Sequence, residues 1–342
     1  MIADVLMPSV HNVLIVNDTR VDQHHGCTAV MTALERMLEE QGLTVAVRWP
    51  AHLDWRADSD FAHALERSHL IVVNGEGTIH HDRPAGRRLL ELGRVARAAE
   101  IPVALVNTGW EANSPELTAM LSDFSLVTAR DSASAAAMRV DASEVRVVPD
   151  LSLCTPSPAD PPQRQHIGFT DNVVRKHALD LELLRRKIQG HPISIHHRQP
   201  KAAFLRAGLS LKQDLAAPLR IVHSLAARHV LWQASHDDLA RFVGDLAGLT
   251  LLVSGRFHAC TLALVAGTPF VAQASNTGKI ASFVRDAGLE TFRSTVPDDP
   301  AILLEIAAQG WSAHEDDARR AYLADARASA ARLAVDLRAL VS

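Results

Sequence analysis

The sequence predicts an α/β protein of two Rossmann-like lobes, each a parallel sheet with helices on both faces. Three observations predict it. Short β-branched runs alternate with Ala-, Leu-, Glu- and Arg-rich stretches along most of the chain, the pattern of a parallel sheet with crossover helices. The runs LIVVN and VALVN are apolar almost throughout, as strands buried on both faces must be. A proline-rich break divides the alternation in two, and 342 residues correspond to about two domains of ordinary size.

Taken in order, the first half offers strands at Asn12–Asn17, Leu43–Arg48, His69–Asn74, Val103–Asn107, Ser125–Thr128 and Val145–Val148, with helical patterns at Thr28–Glu40 and Arg87–Ala99. Next comes CTPSPADPPQRQ, residues 154–165, with four prolines and no hydrophobic period. Proline blocks both a helix interior and a central strand, so this run predicts a linker between a first lobe over 1–153 and a second over 166–342. Alternation resumes with a strand at His166–Thr170, a helix at Val173–Ile188 and a strand at Pro192–His196. Residues 198–233 read only weakly as helix. Ser235 followed by Asp238 resembles a capping box before LARFVGDLAG. Then follow a strand at Leu249–Ser254, a helix at Phe257–Ala266, a strand at Pro269–Gln273 and a helix at Lys279–Ala287. One or two Ala/Arg-rich amphipathic helices run from His314 to Leu340.

Composition narrows the function. Aromatic residues are only 4% of the chain, so the cores are expected to be built from Ala, Val, Leu and Ile. With 35 basic and 39 acidic residues the net charge is −4, which argues against non-specific nucleic-acid binding and against disorder. Cys27, Cys154 and Cys260 are an odd number without a C-x-x-C pair, so they read as reduced thiols rather than a disulfide frame or zinc knuckle. The N-terminal stretch has no basic region followed by a long apolar run, and no segment approaches the ~20 apolar residues of a membrane span. The expectation is a soluble, cytoplasmic protein.

In doubly wound sheets ligands sit beyond the carboxyl ends of the strands, where loops meet helix N-termini. After the first strand comes NDTRVDQHHGCTAV, placing His24, His25 and Gly26 at the start of a helix. Gly26 would let the backbone approach a ligand; a polar loop with two exposed histidines is the plain alternative. After the third strand comes NGEGTIHHD, where Gly75, Gly77 and Thr78 suit a tight turn against a ligand and Glu76 is an acid that a phosphate cradle would not place there. Neighbouring histidines on a helix point about 100° apart, so the pairs His24–His25, His80–His81 and His196–His197 are not read as metal ligands. The fourth and fifth strands lead to Asn107 and to Arg130-Asp131-Ser132; Asp131 or Ser132 suits a helix cap, and Arg130 either the surface or an anion site.

The most specific constellation is TLLVSGRFHACTLALVAGTPFVAQASNTGKI, residues 250–280. A buried strand ends at Ser254-Gly255, and Arg256 and His258 open a helix. Arginine offers a fork of donors for carboxylate or phosphate, and a histidine two residues on is placed to move a proton near neutral pH. The loop ASNTGK after the next strand brings Asn276 and Lys279 to the same sheet edge.

This region resembles the signature of the polysaccharide pyruvyl transferase family: Arg256-Phe257-His258-Ala259 for its Arg-aliphatic-His-Ala run, Gly267-Thr268-Pro269 for its Gly-x-Pro, then Lys279 and Asp286-Ala287-Gly288-Leu289. Asn74-Gly75-Glu76-Gly77-Thr78 stands where the family has a Gly-rich turn, with an acid inserted. Ala129-Arg130-Asp131-Ser132 resembles its R-D-S element and Val148-Pro149-Asp150 a strand end, while the first loop, DTRVDQHHGC, is longer than the family's. The matches span about residues 12–290. The resemblance implies a glycosyltransferase-B-like arrangement of the lobes. It also implies transfer of a pyruvyl group from phosphoenolpyruvate to a sugar hydroxyl pair, in exopolysaccharide or other cell-surface glycan biosynthesis. It makes Arg256 a donor-binding residue and His258 an acid/base residue.

Ser254, Gly255, Arg256, Asn276 and Lys279 are thus the expected donor side. His24, His25, Gly26, Gly75, Gly77, Thr78, Asn107 and Arg130 are the expected acceptor side and loops. The acceptor base is Glu76 or a histidine of the 24–25 loop. The same basic anchor also fits a nucleotide-activated 2-keto sugar acid of Kdo or sialyl type, since that donor too carries a carboxylate beside its reacting carbon. A non-catalytic sugar- or nucleotide-binding protein needs the cleft but not His258. The expected partners are a small-molecule donor and a saccharide acceptor, lipid-linked if the protein works at the membrane surface. No nucleic acid, cofactor or metal is expected.

Overall fold

The computed structural model describes residues 11–139, 145–196 and 236–342. Six strands, β1 (His11–Asp18), β2 (Leu43–Pro50), β3 (Leu70–Glu76), β4 (Val103–Thr108), β5 (Leu126–Ala129) and β6 (Arg146–Val147), form a parallel sheet in the order β2-β1-β3-β4-β5-β6. Four more, β7 (Ile167–Asn172), β8 (His191–Pro192), β9 (Leu251–Gly255) and β10 (Phe270–Ala272), form a second parallel sheet in the order β10-β9-β7-β8. Each sheet with its interleaved helices is called a lobe below, and the architecture is the α/β class expected.

Strand periodicity divides each lobe's core. Side chains alternate between the faces of a strand, so Val13 and Ile15 of β1 pack with helix α1 (His25–Glu40) on one face, while Leu14 and Val16 meet α3 (Pro84–Ala98) on the other. In the second lobe Leu252 and Phe270 pack with α7 (His236–Ala247), α8 (Phe257–Ala266) and α9 (Lys279–Asp286); Leu251, Val253 and Val271 face α6 (Arg175–Lys187) and α10 (Pro300–Gln309). Every residue of α8 is buried, which explains its small and apolar composition and the absence of a polar face.

The C-terminal pattern is a single helix, α11 (Ala313–Ala339), opened by a capping box between Ser312 and Glu315. Its Leu323 and Ala326 join the second lobe's core, and its Leu333 and Leu337 join the first lobe's, against α1. The proline-rich run 156–165 is coil with no helix or strand. No helix among the described residues is long and apolar enough to cross a membrane.

Several elements differ from the sequence reading. The third strand runs on through Asn74-Gly75-Glu76, so the turn begins only at Gly77. The strand expected at Pro192–His196 is only His191–Pro192; the chain then leaves the sheet, the Ile195 carbonyl accepts from the His25 amide at 2.9 Å, and His196 bridges to His24 of the first lobe. Helix α2 (Ser59–Glu66) and helix α10 were not foreseen, although Asp58 and Asp299 cap them in the ordinary way. The weakly helical segment 198–233 and the Ser235 half of the proposed capping box lie outside the described residues.

Candidate functional site

The carboxyl ends of β1, β3 and β4 face the N-terminus of α8. Three non-glycine residues at these strand ends, Asn17 (φ 68°), Glu76 (φ 41°) and Asn107 (φ 54°), are in the left-handed region. Asparagine tolerates that region and glutamate does so poorly, so Glu76 holds backbone strain of about 1–3 kcal/mol. A hydrogen-bond web surrounds it. Glu76 Oε2 accepts from Thr19 Oγ1 at 2.5 Å and from Asn74 Nδ2 at 3.2 Å, and Oε1 accepts from Cys27 Sγ at 3.3 Å. Asn107 Nδ2 donates to Asn74 Oδ1 at 3.4 Å, and Asn17 Nδ2 donates to Thr78 Oγ1 at 3.1 Å. Gly75 is needed because a Cβ there would lie 2.3 Å from Thr108 Oγ1.

His258 enters this web from the other lobe. The Ser254 hydroxyl accepts from the Arg256 amide at 3.0 Å and bonds the Thr170 hydroxyl at 2.8 Å, fixing the passage from β9 to α8. His258, in the first turn of α8, is buried between two first-lobe carboxylates: Nδ1 lies 3.8 Å from Glu76 Oε1 and Nε2 lies 3.6 Å from Asp150 Oδ2. Burial would push the Asp150 carboxyl up. His258 and Arg130 facing it, with a hydrogen bond from Ser152, outweigh that and hold it well below the usual carboxylate range. Gly26 touches the other side of His258, where a Cβ would come 2.1 Å from His258 Cβ. His24 caps α1 by accepting from the Gly26 amide at 3.1 Å, and its ring centroid is 5.5 Å from that of His258. Burial, then the neighbouring His258, His196 and Arg256, push the His24 imidazole well below its ordinary value; burial and the Glu76 carboxylate push the Cys27 thiol well above its own.

The cations surround an adjoining cavity of about 290 Å³ between the lobes, lined by Gly77, Gly109 and Arg130 on one side and Lys279, Ser282 and Arg285 on the other. Arg130 is buried, pairs with Asp150 at 3.4 Å and lies 4.5 Å from the Phe257 ring centroid; its Nε has no hydrogen-bond partner. Lys279 is half-buried, and burial, reinforced by Arg130, pulls its ammonium down to about 8. Glu111 reaches across the cleft to accept from the Gly278 amide at 2.7 Å.

The structure therefore brings together Glu76, His258, His24, Gly26, Gly75 and Asn107, with Arg130, Gly77 and Lys279 beside them. Thr78 and Ser254 act as supports. Asn276 Oδ1 takes Lys279 Nζ at 3.5 Å. Gly255 backs onto Asn172, and His25 stacks on Phe242 of the second lobe at 4.3 Å between centroids. The Arg256 fork is engaged by Asp171, with Nε to Oδ1 at 2.7 Å and Nη2 to Oδ2 at 2.5 Å. The sequence reading gave no role to Asp150, Asp171, Thr19, Cys27 or Glu111. Only Asp150 carried a signal, as the residue closing the Val-Pro-Asp strand end.

By its fold and the family model that it matches the chain is an α/β transferase. It belongs to the polysaccharide pyruvyl transferase family, whose family model matches residues 24–276. Among solved structures it is similar to the UDP-GlcNAc 2-epimerase of Methanocaldococcus jannaschii in complex with UDP-GlcNAc and UDP, at 12% identity and a TM-score of 0.47 over 91% of this chain and 98% of that one. It is also similar to UDP-GlcNAc 2-epimerase from Neisseria meningitidis, at 10% identity and a TM-score of 0.44 over 87% and 91%. An O-GlcNAc transferase mutant from Thermobaculum terrenum matches at 13% identity and a TM-score of 0.40 over 97% and 68%. No curated protein matches the sequence.

Proposed function

We propose that the protein transfers the pyruvyl group of phosphoenolpyruvate to two hydroxyls of a saccharide, forming a cyclic ketal in cell-surface glycan assembly. The observation that carries this reading is His258, held between Glu76 and Asp150 beside an anion-sized cavity with Arg130 and Lys279 on its walls. Phosphoenolpyruvate brings a carboxylate and a phosphate on one carbon, and Arg130, Lys279 and Arg256 suit both anions. Arg256 takes part by exchanging Asp171 for the donor.

The chemistry needs a proton at the methylene carbon. His258 delivers it, the carbon bearing the phosphate becomes oxocarbenium-like, and the first sugar hydroxyl attacks. Phosphate then leaves and the second hydroxyl closes the ring. Two hydroxyl protons are released; one balances that given to the methylene carbon and the other leaves with phosphate. Glu76 accepts a hydroxyl proton, and Asp150 orients the imidazole.

The test is phosphate release from phosphoenolpyruvate, with mass spectrometry of a panel of glycan acceptors. A positioned acid or base is worth about 10²- to 10⁴-fold, so His258→Ala and Glu76→Gln should each lose that much turnover with little change in melting temperature. Near-parental turnover in both variants defeats the assignment. Release of a nucleoside monophosphate from an activated 2-keto sugar acid would make that molecule the donor instead.

A further inference from the structure

We propose that His24, Cys27 and His258 form a binding site for a borderline-soft divalent cation of the Zn²⁺ class, with Glu76 as fourth ligand. Each of the three offers one ligand atom, and these atoms lie within 4.8 Å of one another. Glu76 Oε1 stands 3.3 Å from Cys27 Sγ and 3.8 Å from His258 Nδ1, so the carboxylate faces the same point. Zinc bonds of about 2.3 Å to sulfur and 2.0–2.1 Å to nitrogen place neighbouring ligands roughly 3.5 Å apart in a tetrahedron, and the cluster needs to contract by about 1 Å to reach it.

The donor set is selective. Thiolate and imidazole suit zinc and cobalt, whereas Mg²⁺ and Ca²⁺ prefer oxygen. His24, the N-cap of α1, and Cys27, in its first turn, are brought to the same end of that helix. The His24 Nδ1 lone pair is taken by the Gly26 amide, which leaves Nε2 as the ligand nitrogen. Asp150 behind His258 Nε2 supplies the carboxylate that commonly backs a metal-binding histidine. The Cys27 thiol now donates to Glu76; on binding, the cation replaces that proton, one Zn–S bond forming as one H⁺ passes to solvent. Only His24 of the His24–His25 pair takes part, so the H-H motifs do not outline the ligand set.

If the proposed function holds, this cation inhibits it, because ligation occupies both His258 and Glu76. The binding claim is independent of that. The experiment titrates Co²⁺ into the metal-stripped full chain and reads the near-ultraviolet thiolate-to-cobalt band with the visible bands of four-coordinate cobalt. We expect one equivalent to bind, Zn²⁺ to displace it, and Cys27→Ser to abolish the thiolate band. His24→Gln should weaken binding at least tenfold, and Cys154→Ser should keep the band. Circular dichroism shows whether each variant is folded, and if Cys27→Ser is not, His24→Gln decides. No thiolate band in the parent, or an unchanged band in folded Cys27→Ser, overturns the site. A chain that binds Co²⁺ through Cys27 yet releases no phosphate from phosphoenolpyruvate keeps the site and loses the proposed reaction. A chain that turns over without binding Co²⁺ does the reverse.

Discussion

Substituting Gly26 by alanine tests whether the lobes meet as described, because two effects of opposite sign compete there. Gly26 lies in the first turn of α1, and helix propensity alone favours alanine by about 1 kcal/mol. The added methyl, however, would stand 2.1 Å from His258 Cβ, 2.2 Å from Cγ and 2.5 Å from Nδ1. The nearest of them, Cβ, is fixed by the backbone, so a rotamer change does not clear it. Relief requires α1 and α8 to separate, and α8 is buried along its whole length. Overpacking of this kind costs about 1–3 kcal/mol, so the net change is a loss of up to about 2 kcal/mol, or a few degrees in melting temperature. The effect on turnover is larger. An ordinary carbon contact requires His258 to retreat by roughly 1.5 Å, and a misplacement of about 1 Å already costs on the order of 10²-fold. Phosphate release from phosphoenolpyruvate and a thermal melt on the same preparation read both quantities. A Gly26→Ala protein that is more stable than the parent and equally active would refute the reasoning.

Three further outcomes follow from the site and core. Arg256→Ala and Arg256→Lys should both weaken donor binding by roughly ten- to a hundredfold, since lysine keeps the charge but not the fork; an unchanged donor Kd in Arg256→Ala removes the residue from the donor site. Lys279 is lowered to about 8 by burial and then by Arg130 and Arg256, against the pull of Glu76 and Glu111. It is charged below that pH and neutral above, so donor affinity should fall as pH rises through about 8 and Lys279→Arg should flatten the profile; a steady-state KM series in pH that is the same for both proteins refutes it. Arg293 and Glu315 form a fully buried pair at 2.8 Å, so Glu315→Ala should cost about 3–5 kcal/mol in urea denaturation. Burial raises the Glu315 carboxyl, but Arg293 outweighs it and holds the group below its ordinary 4.5. The stability it adds is therefore present above that pH and lost as pH falls below it, and a gap between parent and variant that persists undiminished in acid contradicts the pairing.

The sequence showed most where one element alone decides. LIVVN and VALVN read as buried strands because apolar side chains on both faces admit no other partner than helices, and Phe257–Ala266 read as a buried helix for the same reason. It showed least where distant segments decide. His196 abandons its strand for His24, and Asp171 finds Arg256, through contacts more than fifty residues apart in the chain. The first depends on how the lobes face each other and the second on which strands of the second sheet lie side by side, which no local pattern encodes. Arg256, His258 and Glu76 were legible because each stands at or just beyond the carboxyl end of a strand. Cys27 was not, and Asp150 showed only as the close of a strand, since a thiol in a helix and an acid before a turn gain a role only when His258 stands beside them.

Glu76 gives the strongest argument that this convergence serves a reaction. A glycine at this position would relieve the left-handed backbone, and the resembling family's turn is Gly-rich, yet the chain holds a strained, buried carboxylate there. Its ligands are the hydroxyl of Thr19, the amide of Asn74 and the thiol of Cys27, all uncharged donors. A stability role would pair such a buried acid with arginine, as Asp18 pairs with Arg20 and Glu315 with Arg293 elsewhere in this protein. Among the described residues Glu76 instead forms its ion-pair contact with His258, at 3.8 Å and from the other lobe, with Lys279 within its electrostatic reach. A carboxylate oriented by neutral donors faces the imidazole without being tied to a guanidinium fork, the geometry that a proton-transfer partner needs. On the proposed function, that strain is what Glu76 holds in order to face His258 across the cleft, and turnover in Glu76→Gln, not its melting temperature, is the quantity expected to fall.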